Sequence, residues 1–329
     1  MRDAPKVRPS RRRFLGLVSA AVALPHVARA DLPALEVLEG PAFGTRWRIV
    51  SAQGAGLAGL RGEIDRILGE VDRQMSPWRT DSEIGGFNRM RADAALPVSA
   101  DTATVAEAAL TLADASGGRF DPTVGPLVAR WGFGPIRGDA APGWRDISVA
   151  GGRLAKARPG LTLDLCGIAK GWALDRLGGL VRTAGLGGAL IDLGGELAAV
   201  GLHPAGRPWQ VAVEQPLAEL TGAAAMLGLT DACVATSGTR AQAYGLQGRE
   251  VSHIIDPATG APVAGDLRSV TVVAPEATGA DGWATALFAA GAVDGPALAR
   301  EQGLNALFLA GAPQRLRAVT TGEMDRFLI

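Results

Sequence analysis

The chain has little of what much enzyme chemistry is built on. Its 329 residues hold two cysteines, three histidines and one tyrosine, and one of the histidines, His26, falls in the N-terminal segment. The remaining histidines and cysteines are scattered, so they form no cluster of thiolate and imidazole ligands for zinc. No Gly-x-Ser-x-Gly elbow presents a serine nucleophile, and nothing around Cys166 lowers a thiol pKa. Cys166 and Cys233 lie in LDLCGIA and DACVATS, apolar small-residue stretches that read as two buried thiols rather than a disulfide. Aromatics are 5% of the chain against 45 glycines. The core is therefore expected to be Leu, Val, Ile and Ala at close backbone approach, with tight turns shaping the site.

Beyond residue 30 no stretch of about 20 residues, the length of a membrane-spanning helix, is free of charge. What stands before residue 30 is informative. SRRRFLGL (Ser10 to Leu17) opens a short apolar run from Phe14 to Leu24 that ends at Ala28-Arg29-Ala30. A positive segment, a short apolar segment and an A-x-A end describe a twin-arginine export signal over 1–30, with the periplasm as destination and one domain over 31–329. A basic tail on a cytoplasmic protein is the plainer alternative. Taking the seven basic and one acidic side chains of residues 1–30 from 33 of each leaves 26 and 32, a net charge of −6. Without clustered Lys and Arg there is no nucleic-acid surface, and any phosphate must be held locally.

Periodicity predicts a first strand over 43–50 and a helix over 57–75 with apolar residues at 57, 60, 64, 67, 68 and 71. MSPWRTDSEIGGFNR breaks that pattern. A second helix runs to Ala115, capped by Ser99 or Asp101 and ended by Gly117-Gly118. FDPTVGPLVARWGFG reads as a turn, a helical turn and a loop. Strands are expected at 146–149 and 153–156, a buried strand at 161–165, and a helix over 169–182. Strands at 189–193 and 196–201 flank a Gly-Gly turn; further strands are expected at 209–214, within 220–235, at 267–273 and at 306–309. Helices are expected at 281–290 and 296–302. The mixture lacks a steady crossover rhythm, which points to an α+β fold of mixed sheets with packed helices in one two-lobed domain.

Three stretches could carry chemistry. In DGWAT, Asp281 and Thr285 are four apart, so on a helix both oxygens share one face and suit a hard cation such as magnesium. Equally, Asp281 could cap that helix and Thr285 bond back to it. LDLCGIAKG (Leu163 to Gly171) runs from a strand through a Gly turn into a helix, a phosphate seat with Lys170 as added cation, although it lacks both Walker and dinucleotide spacings. Here Asp164 could simply tie the turn. SHIIDPATG (Ser252 to Gly260) sets His253 and Asp256 across a strand end, where His253 could relay a proton, hold a phosphate oxygen or be structural. His253 is expected to be the core histidine, and His203, in GLHPAG, a loop residue without a role.

Taken in order, MSPWRTDSEIGGFNR (75–89), FDPTVGPLVARWGFG (120–134), LDLCGIAKGWALD (163–175), ALIDLGGE (189–196), ATSG (235–238), SHIIDPATG (252–260) and ADGWATALFAAG (280–291) resemble the FAD:protein FMN transferases, periplasmic flavin transferases. The resemblance implies magnesium-dependent transfer of FMN from FAD to a Thr or Ser hydroxyl of an acceptor protein, with release of AMP. It also implies acceptors in membrane electron-transfer complexes or related periplasmic flavoproteins. Asp281, Thr285 and the Ala169 carbonyl would hold the ion. His253, Asp256 and Lys170 would serve the acceptor hydroxyl and the phosphate, with the proton acceptor open between His253 and Asp256. Met75, Ser76, Glu83, Asn88 and Asp121 would line or brace the FAD site. Thr123, Gly125, Asp192, Ser237 and Gly238 would complete it. Met75 contacts the flavin ring or else ends the preceding helix in the core, and Trp78 and Trp131 are candidates for stacking.

The chain departs from the family pattern in four places. Cys166 takes the place of the first Gly in D-x-G-G-I-A-K-G, Thr239-Arg240 follows T-S-G where an aromatic is common, and Trp283 stands inside the metal motif. Val251-Ser252 also precedes His253, where the family often has Tyr. Two other activities use the same pocket: a periplasmic FAD-binding or carrier protein, and a metal-dependent pyrophosphatase that gives FAD to water.

Overall fold

The computed structural model describes residues 33–92, 94–217, 220–240, 243–246, 249–312 and 315–329. The export signal read over 1–30 lies outside the described residues. Eight strands pair antiparallel throughout, in the order Leu35–Ala42, Thr45–Ala52, Gly188–Leu193, Glu196–Gly201, Ala232–Gly238, Leu267–Ala274, Asn305–Ala310 and Arg317–Thr321. Between Ala52 and Gly188 the chain leaves this sheet to build most of the helices and a three-stranded sheet of Ala95–Pro97, Arg153–Lys156 and Ile147–Ala150. An antiparallel sheet with its helices grouped in this way is the α+β arrangement expected from the sequence.

Both faces of the large sheet are covered, which explains why its central strands read as near-continuous apolar runs. Along Asn305–Ala310, Ala306 and Phe308 pack with Leu287 and Phe288 of a long helix, whereas Leu307 and Leu309 pack with Trp209, Val211 and Leu227. That second cover is the hairpin of Trp209–Glu214 and Ala223–Leu229. Further along the sheet, Ile191, Ala198 and Val200 meet Leu174, Leu177 and Val181 of the helix Ala169–Thr183.

Local signals account for many element ends. In Arg61–Met75 the residues Ile64, Ile67, Leu68, Val71 and Met75 form one buried stripe. Ser99 accepts from the Thr102 amide at 3.2 Å and starts Ala100–Ala115; Gly117 and Gly118, at φ 61° and 80°, end it in a conformation that side chains with a Cβ resist. MSPWRTDSEIGGFNR contains a short helix, Glu83–Arg89, capped by Ser82.

Three expectations are corrected. The first strand is Leu35–Ala42, and the predicted 43–50 strand begins only at Thr45, because Phe43 (φ 50°) and Gly44 (φ 74°) form the turn between the two. Leu161 to Leu165 is buried but is no strand: Asn88 brackets Leu163, donating to its carbonyl at 2.9 Å and accepting from its amide at 2.7 Å. One side chain stands where a neighbouring strand would be. The helix carrying Asp281 starts at Ala277 rather than at Asp281, and it continues to Glu301 through a break at Gly291 (φ 81°) that separates the two helices read from the sequence. Among the described residues no helix is long and apolar enough to cross a membrane.

Candidate functional site

The site forms where two helix N-termini meet. Gly171, in the first turn of Ala169–Thr183, sits so close to Ala277 that a Cβ would lie 2.4 Å from the Ala277 carbonyl oxygen. Only glycine lets the two backbones touch there. Each helix then supplies a carboxylate to the other's exposed amides. Asp281 accepts from the Gly171 amide at 3.0 Å. Asp175 accepts from the Ala277 and Thr278 amides at 2.7 and 2.8 Å and from the Thr278 hydroxyl at 2.5 Å. Asp281 therefore caps no helix of its own; it caps the neighbouring one.

Thr285 lies one turn beyond Asp281. Its hydroxyl is 3.3 Å from that of Ser237, and a Cβ on Gly167 would lie 3.4 Å from it. Thus the GIAKG turn, T-S-G and the D-x-x-x-T face, read separately from the sequence, come together. Gly238 is needed there, since a Cβ would fall 2.8 Å from the Arg268 carbonyl oxygen.

Lys170 pairs with Glu196, a residue that sequence reasoning missed although it closes the ALIDLGGE stretch. A carboxylate directly after a Gly-Gly turn at the start of a buried strand was the available signal. Burial pushes the Glu196 carboxyl up and Lys170 partly offsets this. Seen from Lys170, burial disfavours the ammonium, but the Glu196 and Asp281 carboxylates more than offset it and keep the charge. Asp281 is likewise pushed up by burial, against the opposing pull of Lys170 and the Gly171 amide. Asp164 is pushed up by burial too, with its carboxylate accepting from the Cys166 amide at 3.0 Å. Two carboxyls, Glu196 and Asp281, thus share one ammonium, and an added cation would let both ionise. Among the described residues no three acidic, Cys or His side chains form a ready-made metal cage. The oxygens on offer are of mixed kind: the Asp281 carboxylate, the Thr285 hydroxyl and main-chain carbonyls such as that of Ala169. An all-oxygen set fits magnesium, which keeps several waters and substrate oxygens in its shell.

The cysteines and histidines are distributed differently from expectation. Both cysteines are free, but Cys166 is exposed and only Cys233 is buried. The turn directs Cys166 outward among carboxylates, so crowding by protein and the charges of Asp164 and Asp281 hold its thiol well above the ordinary range. Burial pushes Cys233 up to about 12. His203 is the buried histidine, at 8% exposure, with Nδ1 accepting from the Ala205 amide and its ring edge-on to Trp209. His253 is half-buried, its ring 6.1 Å from that of Phe133.

The HIIDP turn is held by its own residues at Asp256 and by a few contacts from farther along the chain. Asp256 accepts from the Ala258 amide at 3.0 Å and the Thr259 hydroxyl at 3.1 Å, and Arg119 stands 4.0 Å away. Ile254 anchors the turn in the core beside Ala284 and Leu287 of the Asp281 helix, and the Trp131 indole donates to the Gly260 carbonyl at 3.1 Å. The other candidates mostly tie loops. Asp121 accepts from the Thr123 amide at 2.8 Å, Thr123 Oγ1 accepts from the Gly143 amide at 2.8 Å, and the Asp164 amide donates to the Pro122 carbonyl at 2.7 Å. Gly125 faces Ile136, which leaves no room for a Cβ. Glu83 accepts from the Ser99 amide and hydroxyl, Ser76 accepts from Ser82 through its carbonyl, and Asp192 accepts from the Gly195 amide. Met75, 2% exposed, ends its helix inside the core, whereas Trp78 is 68% exposed. Two hollows of about 340 and 440 Å³ lie elsewhere; neither is lined by Lys170, Glu196, Asp281, Thr285 or His253.

Comparison with known proteins identifies the family. Residues 43–308 match the model of the ApbE family. An FAD:protein FMN transferase of Vibrio cholerae is 35% identical over 92% of this chain and 96% of its own length. One from Salmonella typhimurium is 34% identical over 90% of each. The solved flavin transferase ApbE from Vibrio cholerae superposes with a TM-score of 0.81 at 34% identity, over 90% of this chain and 100% of that one. The apo flavinyl transferase ApbE of Pseudomonas stutzeri gives 0.81 at 32% identity, over 91% and 98%. By motif order, fold and sequence the chain belongs to the ApbE family.

Proposed function

We propose that this enzyme, an FAD:protein FMN transferase, uses magnesium to pass FMN from FAD to a Thr or Ser hydroxyl of an acceptor protein and releases AMP. The observation that carries the reading is the meeting of Asp281, Thr285 and the GIAKG turn at the junction of two helix N-termini. Asp281, Thr285 and the Ala169 carbonyl would hold the ion. When bound, the ion would supply positive charge that offsets the charge of the phosphates.

The chain's own residues do the rest. The acceptor hydroxyl oxygen attacks the flavin-side phosphorus, the bond to the bridging oxygen breaks, and AMP leaves with that oxygen. His253 takes the hydroxyl proton: both Asp256 oxygens already accept hydrogen bonds within the turn, which suits Asp256 to holding the turn. Lys170, kept charged by Glu196 and Asp281, faces the phosphate. Asn88, Asp121, Thr123 and Asp192 keep the surrounding loops in shape for FAD, and Glu83, Ser76, Gly125, Ser237 and Gly238 support them. The twin-arginine segment supports a periplasmic location, with acceptors in membrane electron-transfer complexes.

Intact-mass analysis of a Thr-containing acceptor after incubation with the chain from residue 31, FAD and magnesium tests the reading. The expected result is a gain of one FMN, abolished by EDTA and by Asp281→Ala. An unmodified acceptor with AMP released would mean that water is the acceptor, and bound FAD without AMP would mean a carrier.

A further inference from the structure

Glu196 is an awkward residue for its position. The Gly194-Gly195 turn, with φ 67° and 105°, delivers it as the first residue of Glu196–Gly201. On that strand Ala198 and Val200 point into the core beneath the helices, and alternation puts Glu196 on their face. Its side chain is 7% exposed. Oε1 accepts from Lys170, while Oε2 is buried and has no hydrogen-bond partner. A half-satisfied buried carboxylate costs stability, and an apolar side chain among Ala198 and Val200 would pack there at less cost.

Lys170 is equally awkward. It lies in the first turn of Ala169–Thr183, where the helix dipole repels a cation. Its four-carbon stem is flexible and its head is 35% exposed, so nothing local fixes the ammonium. The two residues solve each other's problem across 26 positions of sequence. We infer that Glu196 is a positioning residue of the transfer reaction, fixing the Lys170 ammonium beside Asp281 so that it meets the substrate phosphates. This rests on the reading of Lys170 as a phosphate-facing group.

The test is a double-mutant cycle on the chain from residue 31, with FAD, magnesium and acceptor protein. Glu196→Gln keeps the shape and removes the charge; kcat is expected to fall about 10- to 100-fold, as for other residues that orient a reacting group. The KM for FAD changes by less than about 3-fold, because the loss falls on the transition state. Lys170→Met lowers kcat at least as far, and adding Glu196→Gln to it lowers kcat no further. The melting temperature of Glu196→Gln stays level or rises, the opposite of what loss of a structural contact gives.

Multiplying effects in the double variant, or wild-type kcat in Glu196→Gln, overturns the role of Glu196 alone. A fully active Lys170→Met overturns the reading of Lys170 and the inference with it. If Glu196→Gln does not fold, Glu196→Asp takes its place in the cycle, since it keeps the charge but withdraws it from Lys170 by one methylene.

Discussion

The helix junction and the HIIDP turn are the two halves of the proposed site, and they are held in different ways. At the junction the bonds span the chain: Asp281 reaches Gly171 across 110 residues and Asp175 reaches Ala277 across 102. In the turn the Asp256 carboxylate accepts its hydrogen bonds from two and three residues ahead, with Arg119 a more distant 4.0 Å away. The junction is buried and charged, with Asp281 5% exposed, while Ala258 and Thr259 are exposed. For the proposed role of holding a cation and a pyrophosphate, long-range bracing is an advantage, because preorganised charges need not rearrange as the reaction proceeds. The HIIDP turn combines short-range ties at Asp256 with a few distant contacts, the Trp131 indole at Gly260 and Ile254 against the Asp281 helix.

Substitutions can break this contrast, and the largest effect should come at the junction. Asp281→Ala removes the proposed ion ligand and takes the acceptor from the Gly171 amide; transfer measured by acceptor mass should fall about 10²- to 10³-fold. A loss of only a few-fold would mean that the ion is held elsewhere. Next is Asp175→Ala, which strips the first turn of Ala277–Glu301 of its acceptor. It should cost about 1–2 kcal/mol, near the range for lost helix caps, and lower the melting temperature by about 2–4 °C in a domain of this size. Activity should drop with it, since the same helix carries Asp281 and Thr285. An unchanged melting point would show that the two helices stay joined without this carboxylate.

Asp121 sharpens the comparison through pH. Burial raises its carboxyl above the ordinary Asp value, against the pull of the Thr123 bonds. In the folded state it therefore keeps its proton to higher pH than in the unfolded chain. Its contribution to stability is full below the unfolded value, about 3.9, and is lost as pH rises through the raised folded value. Asp121→Asn keeps an acceptor oxygen for Thr123 and should be at least as stable as the parent at pH 7, with a flatter dependence of denaturant midpoint on pH above 4. A steeper dependence would contradict burial as the cause. The smallest effect is expected in the turn: Thr259→Ala removes two exposed hydrogen bonds, one to Asp256 and a long one from the Ala261 amide, and should shift stability by about 0.5 kcal/mol or less. A destabilisation as large as that of Asp175→Ala would erase the distinction between the two halves.

Legibility in the sequence followed the range of each interaction. The Arg61–Met75 stripe, the Ser99 cap and the Gly117-Gly118 stop were readable because their causes lie within one or two helical turns. The Leu161 to Leu165 segment has the apolar pattern of a strand, but its partner is the Asn88 side chain 75 residues away, which no local period announces. The sequence offers Asp281 as a metal ligand or as a cap of its own helix; the second is corrected, since Asp281 caps a different helix, which is possible only once Gly171 has brought the two N-termini together. Cys166 has apolar neighbours in sequence and carboxylates in space, and the turn that exposes it decides between them. Two histidines with similar loop surroundings ended differently, His203 under Trp209 and His253 half-buried beside Phe133, because burial depends on what packs over a loop.

By itself the sequence determined the alternation of strands and helices, most of their ends, and which oxygens, amines and imidazoles the site could draw on. Each of these depends on residues a few positions apart, where backbone geometry converts spacing into direction. The tertiary structure alone decided that Asp281 and Asp175 cap each other's helices, that Lys170 is tied to Glu196, and that Cys166 faces out. Those outcomes depend on desolvation and charge between groups whose separation in the chain carries no period, so only the packing of the helices against the sheet could set them.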